Sequence, residues 1–412
     1  MTPTATPPPP LVGRVPLHAV QVLGGGSLTR GGGVPGARTV AHVRSLSEGL
    51  VARGVRVTVC APGDEELARA LTGTGARFAP ATGRTERETV AGLRTLCADA
   101  DLVHAHGLRA GFLAALALGR RRRGTPLVVT WHTQPLPGAE GAEHAEGARA
   151  LLARLLKRRV ARAAAVVLGV TTDLVDAARD CGARDARLAP VVIPAPRDAA
   201  DDCTGEEGED DGEGARAERD ARAEAQRHKA RAEIGAVGRP LVLSVGRLDR
   251  HQAYDAVLTA ARAWRDLDPP PLLAVAGEGP ERAALQRRID EEELPVRLLG
   301  RRDDALRLLA GADVALLSTR WDSRSPLAQE ALSRGVPLVA TEVGGIPELV
   351  GDAAVLVPYG DADALSSAVR ALLEDPVRRE ALAAAGRARA ESWPTEDDTV
   401  AQVLSVYDEL TA

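Results

Sequence analysis

Five short apolar runs in the second half of the chain, each leading to glycine or charged residues, constrain the fold more than any other feature. The runs and the residues after them are LVLSV and Gly246-Arg247, LLAVA and Gly277-Glu278-Gly279, VRLLG and Arg301-Arg302, VALLS and Asp322, and PLVAT and Gly344-Gly345. Runs of this length without a helical stripe are typical of buried strands. Helix-length stretches separate them, which predicts an α/β fold with a doubly wound parallel sheet. Ligands bind beyond the carboxyl ends of such strands, so we expect a polar crevice there that tolerates anions.

The stretch from Ala312 to Val350 contains the full alternation of strand, loop, helix, strand and glycine turn. Ser325 and Pro326 predict the start of the helix, because serine caps orphan N–H groups and proline lacks one. Gly335 predicts its end, since glycine adopts the left-handed conformation at low cost. The polar residues that we expect to gather in the crevice are Asp322, Arg324, Glu330 and Gly344-Gly345.

A βαβ unit opens the first half of the chain. Leu17 to Leu23 predicts a strand, a glycine-rich segment runs from Gly24 to Gly36, and a helix is expected from about Arg38 to Arg53. A glycine loop before a helix lets backbone N–H groups face an anion. The spacing is not Gly-x-Gly-x-x-Gly, so a flexible surface loop is the alternative interpretation.

Histidines mark the ends of two further strands. His104 and His106 lie two residues apart in DLVHAHG and therefore share one face of a strand. His106 and His132 each stand at the carboxyl end of a strand, in DLVHAHG and PLVVTWH. Carboxyl ends of parallel strands meet at one edge of the sheet, so we expect His106 and His132 to face one crevice and to be functional. For His104 we expect a structural role.

The segment ARALLARLLKRRVARAAA predicts a helix from Glu146 to Ala165. Its leucines are expected to pack inward while the basic residues remain in solvent; these leucines are Leu151, Leu152, Leu155 and Leu156. The alternative interpretation is that the basic face of this helix contacts anionic lipid.

Composition divides the chain into domains. Residues 1–16 are proline-rich and predict a disordered tail, and residues 197–235 predict an interdomain linker with an acidic insert that cannot bury a core. Residues 17–196 then form a first domain, residues 236–395 a second, and residues 396–412 a final helix.

Without the eight acids of residues 201–213 the net charge of the chain changes from -5 to +3. That charge suits anionic small molecules or an anionic membrane and is too small to indicate nucleic acid.

Cysteines and hydrophobicity restrict the class of protein further. The four cysteines show no Cys-x-x-Cys and no Cys/His ligand spacing, so we predict reduced thiols and no metal site. No apolar run approaches the roughly 20 residues of a membrane span, and the N-terminus has no secretory signal pattern. We therefore expect a cytoplasmic protein, with peripheral contact at the inner face of the membrane as the alternative.

Several motifs together resemble the GT-B glycosyltransferases, specifically the family 4 of retaining enzymes that use nucleotide sugars. They are the glycine loop, HAHG, VVTWH, SVGRL, VAGEGP, two acids eight residues apart before EAL, RGVPLVAT and VGGIPELV. The phrases HGLRAG and RWDSRSPLAQEAL are similar to an actinobacterial subgroup. The resemblance covers the chain from Leu17 to its end apart from the insert. It implies two Rossmann-like doubly wound domains facing across a cleft, with the acceptor on the first and the nucleotide-sugar donor on the second.

The resemblance also implies roles for individual residues. Arg247 would contact the donor diphosphate, Glu330 the nucleotide ribose and Asp322 the sugar hydroxyls, while His132 would lie near the reacting sugar or the phosphate. These four form the expected catalytic set. The expected donor-binding set is Gly246, Arg247, Gln252, Glu278, Gly279, Ser323, Arg324, Ser325, Glu330, Gly344 and Gly345. The expected acceptor-side set is Gly32, Gly33, His106 and Arg109.

Two positions depart from the family pattern. Gln252-Ala253 stands where a lysine-glycine pair usually follows GRL, and Asp322 replaces the usual glutamate. A second phosphate-binding cation would then be Arg250, His251 or Arg324. The departures leave three functions open: a retaining transferase that needs neither metal nor cofactor, a binding module that transfers nothing, and a nucleotide-sugar epimerase. The nucleotide, UDP or GDP, and the acceptor, a glycan, lipid-linked molecule or small metabolite, are not predicted.

Overall fold

The computed structural model describes residues 16–24, 36–62, 65–81, 83, 85–119, 124–133, 143–191 and 213–412, without the side chains of residues 143–150, 213–220 and 222–223. Residues 1–15 of the predicted tail, Gly32 and Gly33 of the glycine-rich loop, and the acidic residues 201–212 lie outside the described residues. The chain divides into two compact units. Unit 1 comprises Met1–Val170, Leu174–Pro194 and Pro394–Ala412; unit 2 comprises Thr171–Asp173 and Ala195–Trp393.

Unit 1 contains a seven-stranded parallel sheet in the described part of the chain, with the order β3-β2-β1-β4-β5-β6-β7. Its strands are β1 His18–Leu23, β2 Arg56–Ala61, β3 Arg77–Pro80, β4 Leu102–His106, β5 Leu127–Trp131, β6 Val166–Gly169 and β7 Ala186–Leu188. The helices along this part of the chain are α1 Ala37–Ala52, α2 Glu65–Thr72, α3 Glu86–Leu96, α4 Leu108–Leu118, α5 Glu143–Ala163 and α6 Thr172–Asp180. The strand order reverses between β1 and β4, where Leu23 and His106 are register partners at the carboxyl edge. Doubly wound sheets bind ligands at such a switch point.

Unit 2 contains a six-stranded parallel sheet with the order β10-β9-β8-β11-β12-β13. Its strands are β8 Leu241–Val245, β9 Leu272–Ala276, β10 Val296–Gly300, β11 Val314–Leu317, β12 Leu338–Thr341 and β13 Val355–Val357. The helices from the start of unit 2 to the end of the chain are α7 Glu213–Ile234, α8 Tyr254–Arg262, α9 Arg282–Glu291, α10 Pro326–Ser333, α11 Ile346–Val350, α12 Ala362–Glu374, α13 Pro376–Glu391 and α14 Glu396–Thr411. The strand order reverses between β8 and β11, which places the second switch point there.

Both faces of the unit 2 sheet are buried, which explains why its strands read as continuous apolar runs. Leu241 and Leu243 point into one core, whereas Val242 between them points into the other. Side chains alternate between the faces of a strand, so each run must be apolar throughout. The predicted doubly wound α/β architecture is confirmed for both units.

The start and end of α10 agree with the sequence prediction. Ser325 is its N-cap residue and Pro326 its first helical residue. The helix ends before Gly335, whose φ of 65° is in the left-handed region. The local turn chemistry of this stretch therefore fixes where the helix after β11 begins, directly behind the polar loop that contains Asp322.

The prediction that residues 197–235 bury no core is wrong for the end of this segment. Residues 213–234 form α7, and Ala230 and Ile234 are buried in the core of unit 2. Arg227 and Arg231 of the same helix form ion pairs with Asp313, whose carboxylate also accepts a hydrogen bond from the Leu241 backbone at 2.8 Å. Small side chains at the end of the helix allow it to pack closely against the core of unit 2. The ion pairs of the two arginines with Asp313 hold the helix beside β8 and β11.

The prediction that the leucines of α5 pack inward is also wrong. Leu151, Leu152 and Leu155 are 58%, 51% and 54% exposed, and Leu156 is only partly buried. The buried residues lie at the other end of the helix, where Val160 packs against α4. A helix of 21 residues is about 30 Å long, whereas a five-residue strand spans about 17 Å, so the sheet covers only part of α5.

The last helix, α14, packs against α1 within unit 1. A Cβ on Gly49 of α1 would lie only 2.5 Å from a methyl group of Val400, so the two helices approach closely there. Tyr407 of α14 is fully buried, and its hydroxyl accepts a hydrogen bond from the Gln21 side chain of β1. Among the described residues, no helix is both long and apolar enough to cross a lipid bilayer.

Candidate functional site

The candidate site of unit 2 begins directly after β8, at Arg247. Gly246 and Arg247 form the turn into the short helical segment Arg250–Gln252. The Arg247 side chain is 72% exposed, and its Nε lies 3.3 Å from a carboxylate oxygen of Asp249. Asp249 also accepts a hydrogen bond from the backbone N–H of His251 at 3.0 Å, which closes the turn. The turn thus presents an accessible guanidinium, a fork of donors that matches phosphate oxygens.

Gln252 joins this turn to the loop that follows β11. A Cβ on Gly246 would lie 3.2 Å from the Gln252 side chain, so these two residues are in contact range. The Ser318 hydroxyl donates to the Gln252 carbonyl oxygen, and the Arg320 backbone N–H donates to the His251 carbonyl oxygen at 2.6 Å. The loops after β8 and β11 are therefore bonded together on either side of the switch point.

The loop after β11 packs in turn on the glycine turn after β12. The Gly345 backbone N–H donates to the Asp322 carbonyl oxygen at 2.9 Å. Gly344 has a φ of 55°, and a Cβ there would lie 2.3 Å from the same oxygen, so no other residue fits without rearrangement. The Asp322 carboxylate accepts a hydrogen bond from the Ser323 backbone N–H at 2.8 Å. Asp322, Ser323, Gly344 and Gly345 consequently form one compact group.

The glycine turn after β9 supports the Arg247 turn through backbone contacts. A Cβ on Gly277 would lie 1.8 Å from the Gly246 carbonyl oxygen, and one on Gly279 would lie 2.1 Å from that of Leu248. The Leu248 backbone N–H donates to the Glu278 carbonyl oxygen at 3.1 Å. The Glu278 side chain instead pairs at 3.0 Å with the first arginine of α9. Glycine is required here because two turns of backbone touch each other.

Two predicted site residues of unit 2 have charged or aromatic neighbours. Glu330 lies in α10 and pairs with Arg334 one turn later at 2.5 Å, with 19% of its side chain exposed. Arg324 is only 9% exposed, and its guanidinium carbon lies 5.5 Å from the ring centre of Trp393. Burial, with a smaller contribution from Arg389, lowers the pKa of Arg324 to about 10. Arg324 is therefore not an accessible cation, which leaves the exposed Arg250 and His251 as the other cations that the sequence suggested.

The candidate site of unit 1 is a cluster of three histidines. His106, the last residue of β4, and His132, the residue after β5, place Nδ1 and Nε2 3.3 Å apart. His42 of α1 joins them, with its ring centre 5.5 Å from that of His106 and 5.3 Å from that of His132. The two histidines that the sequence pointed to do lie together. Arg109, predicted on the same side, is the second residue of α4 and lies 3.8 Å from Glu86, with 17% of its side chain exposed.

A hydrogen-bonded chain of buried residues holds His106 in place. Its Nε2 donates to the Gln21 side-chain oxygen at 2.6 Å, and the Gln21 amide nitrogen donates to the Tyr407 hydroxyl at 2.7 Å. His104 has both ring nitrogens engaged, Nδ1 with the Tyr407 hydroxyl at 2.8 Å and Nε2 with the Thr130 hydroxyl at 2.7 Å. The predicted structural role of His104 is consistent with these contacts. α14 thus supplies one link of a network that reaches the carboxyl edge of the sheet.

Burial keeps this histidine cluster neutral. Burial lowers the pKa of His42 and His106 well below 6.5, and the neighbouring imidazoles lower both values further. Burial also lowers the pKa of His132 to about 4 and, with a contribution from His132, that of His104 to about 3. Four imidazoles within one small volume cannot all be charged, because the charged form loses its hydration and meets like charges. At neutral pH all four are hydrogen-bonding bases.

This cluster predicts that acid destabilises unit 1. Above about pH 6.5 the histidines are neutral in both the folded and unfolded chains, so they do not change stability. Below that pH the unfolded chain binds protons that the fold excludes, and each buried histidine costs about 2 kcal/mol by pH 5. Urea unfolding of the metal-free chain, in chelator, at about pH 7.5 and pH 5 should show this loss, and a His104→Gln variant should show a smaller one. An equal free energy of unfolding at the two pH values would contradict this assignment. So would a pH dependence of stability that His104→Gln leaves unchanged but that the control substitution His228→Gln, on exposed α7, alters.

Comparison with known proteins identifies the class to which this architecture belongs. Residues 226–389 match the family "Glycosyl transferases group 1", and residues 39–194 match "Glycosyl transferase 4-like domain". The chain therefore belongs to the glycosyltransferases of the GT-B, family 4 type. The Anabaena protein HepE, solved in complex with UDP, superimposes with a TM-score of 0.71 over 95% of this chain and 100% of that chain, at 17% identity. That likeness extends the GT-B fold to nearly the whole chain.

Two curated relatives from actinobacteria match parts of the sequence. A GDP-mannose-dependent phosphatidylinositol monomannoside mannosyltransferase of Corynebacterium glutamicum is 32% identical over 178 residues, 40% of this chain and 47% of the relative. A D-inositol 3-phosphate glycosyltransferase of Salinispora tropica is 33% identical over 332 residues, 76% of this chain and 64% of the relative. The chain thus spans about half to two thirds of the length of these relatives.

Proposed function

We propose that the protein is a retaining glycosyltransferase that moves a sugar from a nucleotide-sugar donor to an acceptor hydroxyl. The observation that carries this proposal is the convergence of three loops at the carboxyl edge of the unit 2 sheet. The Arg247 turn, the Asp322–Ser325 loop and the Gly344-Gly345 turn are joined by hydrogen bonds beside the switch point. The arrangement combines the exposed guanidinium of Arg247, the carboxylates of Asp322 and Glu330, and glycine backbone that a ligand can approach closely. These groups suit a diphosphate attached to two polyhydroxyl groups.

The proposed mechanism assigns the leaving group to Arg247. When the bond between the anomeric carbon and the diphosphate breaks, negative charge grows on the diphosphate oxygens. The Arg247 guanidinium would stabilise that charge, and the first turn of α10, which follows Ser325, would contribute oriented backbone N–H groups. Asp322 would accept hydrogen bonds from the sugar hydroxyls and Glu330 from the ribose of the nucleotide. The remaining donor contacts would come from Gly246, Gln252, Glu278, Gly279, Gly344 and Gly345, and from the backbone of Ser323, Arg324 and Ser325.

The proposed stereochemical course is retention without a protein nucleophile. No carboxylate of the described site stands out as a nucleophile, because Asp322 caps its own loop and Glu330 pairs with Arg334. A front-face route, in which the leaving diphosphate assists deprotonation of the acceptor, needs no covalent intermediate. His132 and His106, neutral at pH 7, would contribute hydrogen bonds on the acceptor side together with Arg109, Gly32 and Gly33. We propose that this chemistry requires no cofactor, with the UDP- or GDP-linked sugar as substrate.

Two rival functions rest on the residues at 252 and 322. Gln252 lies against Gly246 in place of a second cation, and Asp322 is shorter than the usual glutamate, so either change could abolish transfer and leave a binding module. A nucleotide-sugar epimerase is the other rival. Incubating the full chain with panels of UDP- and GDP-sugars and acceptors separates them. A transferase releases nucleotide diphosphate and forms a product with retained anomeric configuration, a module releases nothing, and an epimerase changes the sugar without an acceptor.

The exposed leucines of α5 support a second proposal, peripheral contact with an anionic membrane at the cytoplasmic face. Leu151, Leu152 and Leu155 are each more than half exposed and lie one helical turn or less apart. From residue 151 to the end of α5 at residue 163 the chain holds five basic residues and no acid. An apolar stripe flanked by basic side chains is the pattern of an interfacial helix, which gains both burial and attraction to anionic lipid.

A double variant, Leu151→Ser with Leu155→Ser, tests the membrane proposal by flotation with phosphatidylglycerol-containing vesicles. We expect the double variant to partition onto the vesicles at least about tenfold more weakly than the wild-type chain. Each leucine contributes on the order of 1 kcal/mol to the free energy of membrane binding. The control is Val377→Ser, which removes a residue that is 77% exposed on α13. High salt should also weaken wild-type binding. A wild-type protein that does not float, or a double variant that floats equally well, would refute the proposal.

A further inference from the structure

The proposed transfer reaction uses His106 and His132 as hydrogen-bonding groups on the acceptor side, but it gives no role to His42 or to the meeting of all three rings in unit 1. His42, His106 and His132 each offer one ring nitrogen, and these three atoms all lie within 4.8 Å of one another. They come from α1, from the end of β4 and from the residue after β5, so three separate elements meet at this point. The sequence predicted no metal site because no Cys/His spacing is visible. Ligands drawn from different elements leave no such spacing.

We propose that His42, His106 and His132 form a binding site for a divalent transition-metal ion, with Zn²⁺ as the occupant. The distance between His106 Nδ1 and His132 Nε2 is 3.3 Å. Two nitrogens bound to one tetrahedral zinc ion at about 2.0–2.1 Å are separated by about 3.3–3.4 Å. Imidazole nitrogen is a preferred ligand of zinc and its neighbours in the transition series, whereas magnesium and calcium prefer oxygen.

The surroundings of His106 fix the tautomer that a metal needs. The Gln21 side-chain oxygen can only accept, so His106 Nε2 carries the proton of their 2.6 Å hydrogen bond. His106 Nδ1, the atom that faces His132, therefore carries a lone pair. Gln21 is itself oriented by the buried Tyr407 hydroxyl, at 2.7 Å. In metal centres, the ring nitrogen of a ligand histidine that does not bind the metal is regularly hydrogen-bonded to a neighbouring protein group.

The other two buried histidines of the described chain are arranged differently. His104 contacts two hydroxyl groups with its ring nitrogens, and His18 contacts the Asp99 carbonyl and the Thr58 hydroxyl, both at 3.0 Å. Each of them is a satisfied core histidine. Only in the group of three do imidazoles converge on a common point among the described residues.

A metal ion at this point would link α1 to the carboxyl edge of the sheet. Three protein ligands leave one position of a tetrahedral zinc ion for water or a ligand oxygen. Because the ion binds the folded chain, a metal concentration 100 times the Kd would shift the folding equilibrium about 100-fold towards the folded state. None of the three histidines belongs to the unit 2 donor site, and the test measures metal uptake and not sugar transfer, so its outcome does not depend on the donor-site assignment.

The test is metal binding by the full-length chain, without a polyhistidine tag and after treatment with chelator. We expect one Co²⁺ per chain with the intense visible absorption of a tetrahedral nitrogen site, displacement by Zn²⁺, and a rise in Tm with either ion. His42→Gln and His132→Ala should each weaken binding more than about 100-fold. The control, His228→Ala on α7, removes a histidine that is 76% exposed and should bind like wild type.

Two results would overturn the site. The first is that the folded wild-type chain shows no saturable uptake of Co²⁺ or Zn²⁺ at micromolar concentrations. The contact between His132 and His106 would then be a neutral hydrogen bond and not part of a metal site. The other is uptake that both substitutions leave unchanged. His42 is buried and its variant could unfold, so far-ultraviolet circular dichroism in chelator accompanies each measurement. His132 is only partly buried, and its variant decides the outcome if the His42 variant is unfolded.

Discussion

Replacing Arg247 with alanine should lower kcat/KM for the nucleotide-sugar donor by about 100- to 1,000-fold, the range seen when one preorganised donor to a developing anion is removed. The guanidinium is 72% exposed, so its contacts in the folded chain add little stability and the loss should appear in turnover, not in folding. The measurement is steady-state release of nucleotide diphosphate, with kcat and KM determined separately. A fall mainly in kcat would place the interaction in the transition state.

Two comparisons sharpen the Arg247 experiment. Arg247→Lys retains the charge but loses the fork of donors, so it should recover only part of the activity. Arg370→Ala is the matched control, because Arg370 is also an exposed arginine paired with one carboxylate, Glu374, and lies on α12 outside the three loops. Activity of Arg247→Ala equal to that of Arg370→Ala would remove Arg247 from the mechanism.

Replacing Glu330 with glutamine should raise KM for the donor by about 10- to 100-fold while the protein remains folded. Hydrogen bonds to a charged group are worth about 1.5–3 kcal/mol, and the neutral amide would lose that charge towards the ribose hydroxyls. Its ion pair with Arg334 is partly exposed, so breaking it should cost at most about 1 kcal/mol of stability. Donor affinity by calorimetry and Tm by thermal melting give the two quantities.

Glu374→Gln is the control for that substitution. Glu374 also belongs to a helix and also pairs with an arginine four residues away, but its side chain is 55% exposed on α12. Both variants therefore lose one helical ion pair, and only Glu330→Gln loses the proposed contact with the nucleotide. An unchanged KM in Glu330→Gln, or an equal increase in both variants, would show that Glu330 does not contact the donor.

The parts of the fold that the sequence predicted are those determined by local chemistry. Ser325, Pro326 and Gly335 specify the ends of α10 through capping and backbone preference, and the structure places those ends as expected. His106 and His132 could be paired from sequence because side chains alternate along strands and parallel strands end at one edge. Those rules need no knowledge of packing.

What the sequence did not predict depends on contacts between distant segments. His42 is a single histidine in an amphipathic helix, and only the packing of α1 decides that it faces the sheet edge. Gln21 and Tyr407 are separated by 386 residues, yet their hydrogen bond orients His106. The exposed leucines of α5 show the converse, because an apolar stripe does not specify whether a partner exists beneath it. The spacing of the leucines around Leu151 is the same whether the stripe packs against the sheet or faces solvent.

Titration calorimetry of UDP and GDP against the full-length chain and its Arg247→Ala and Glu330→Gln variants is the decisive measurement. We expect wild-type protein to bind at least one of these nucleotides with a stoichiometry of one per chain, and both variants to bind it much more weakly. Binding of equal strength by all three proteins, or no binding of either nucleotide by the folded wild-type chain, would mean that the three loops of unit 2 are not the donor site.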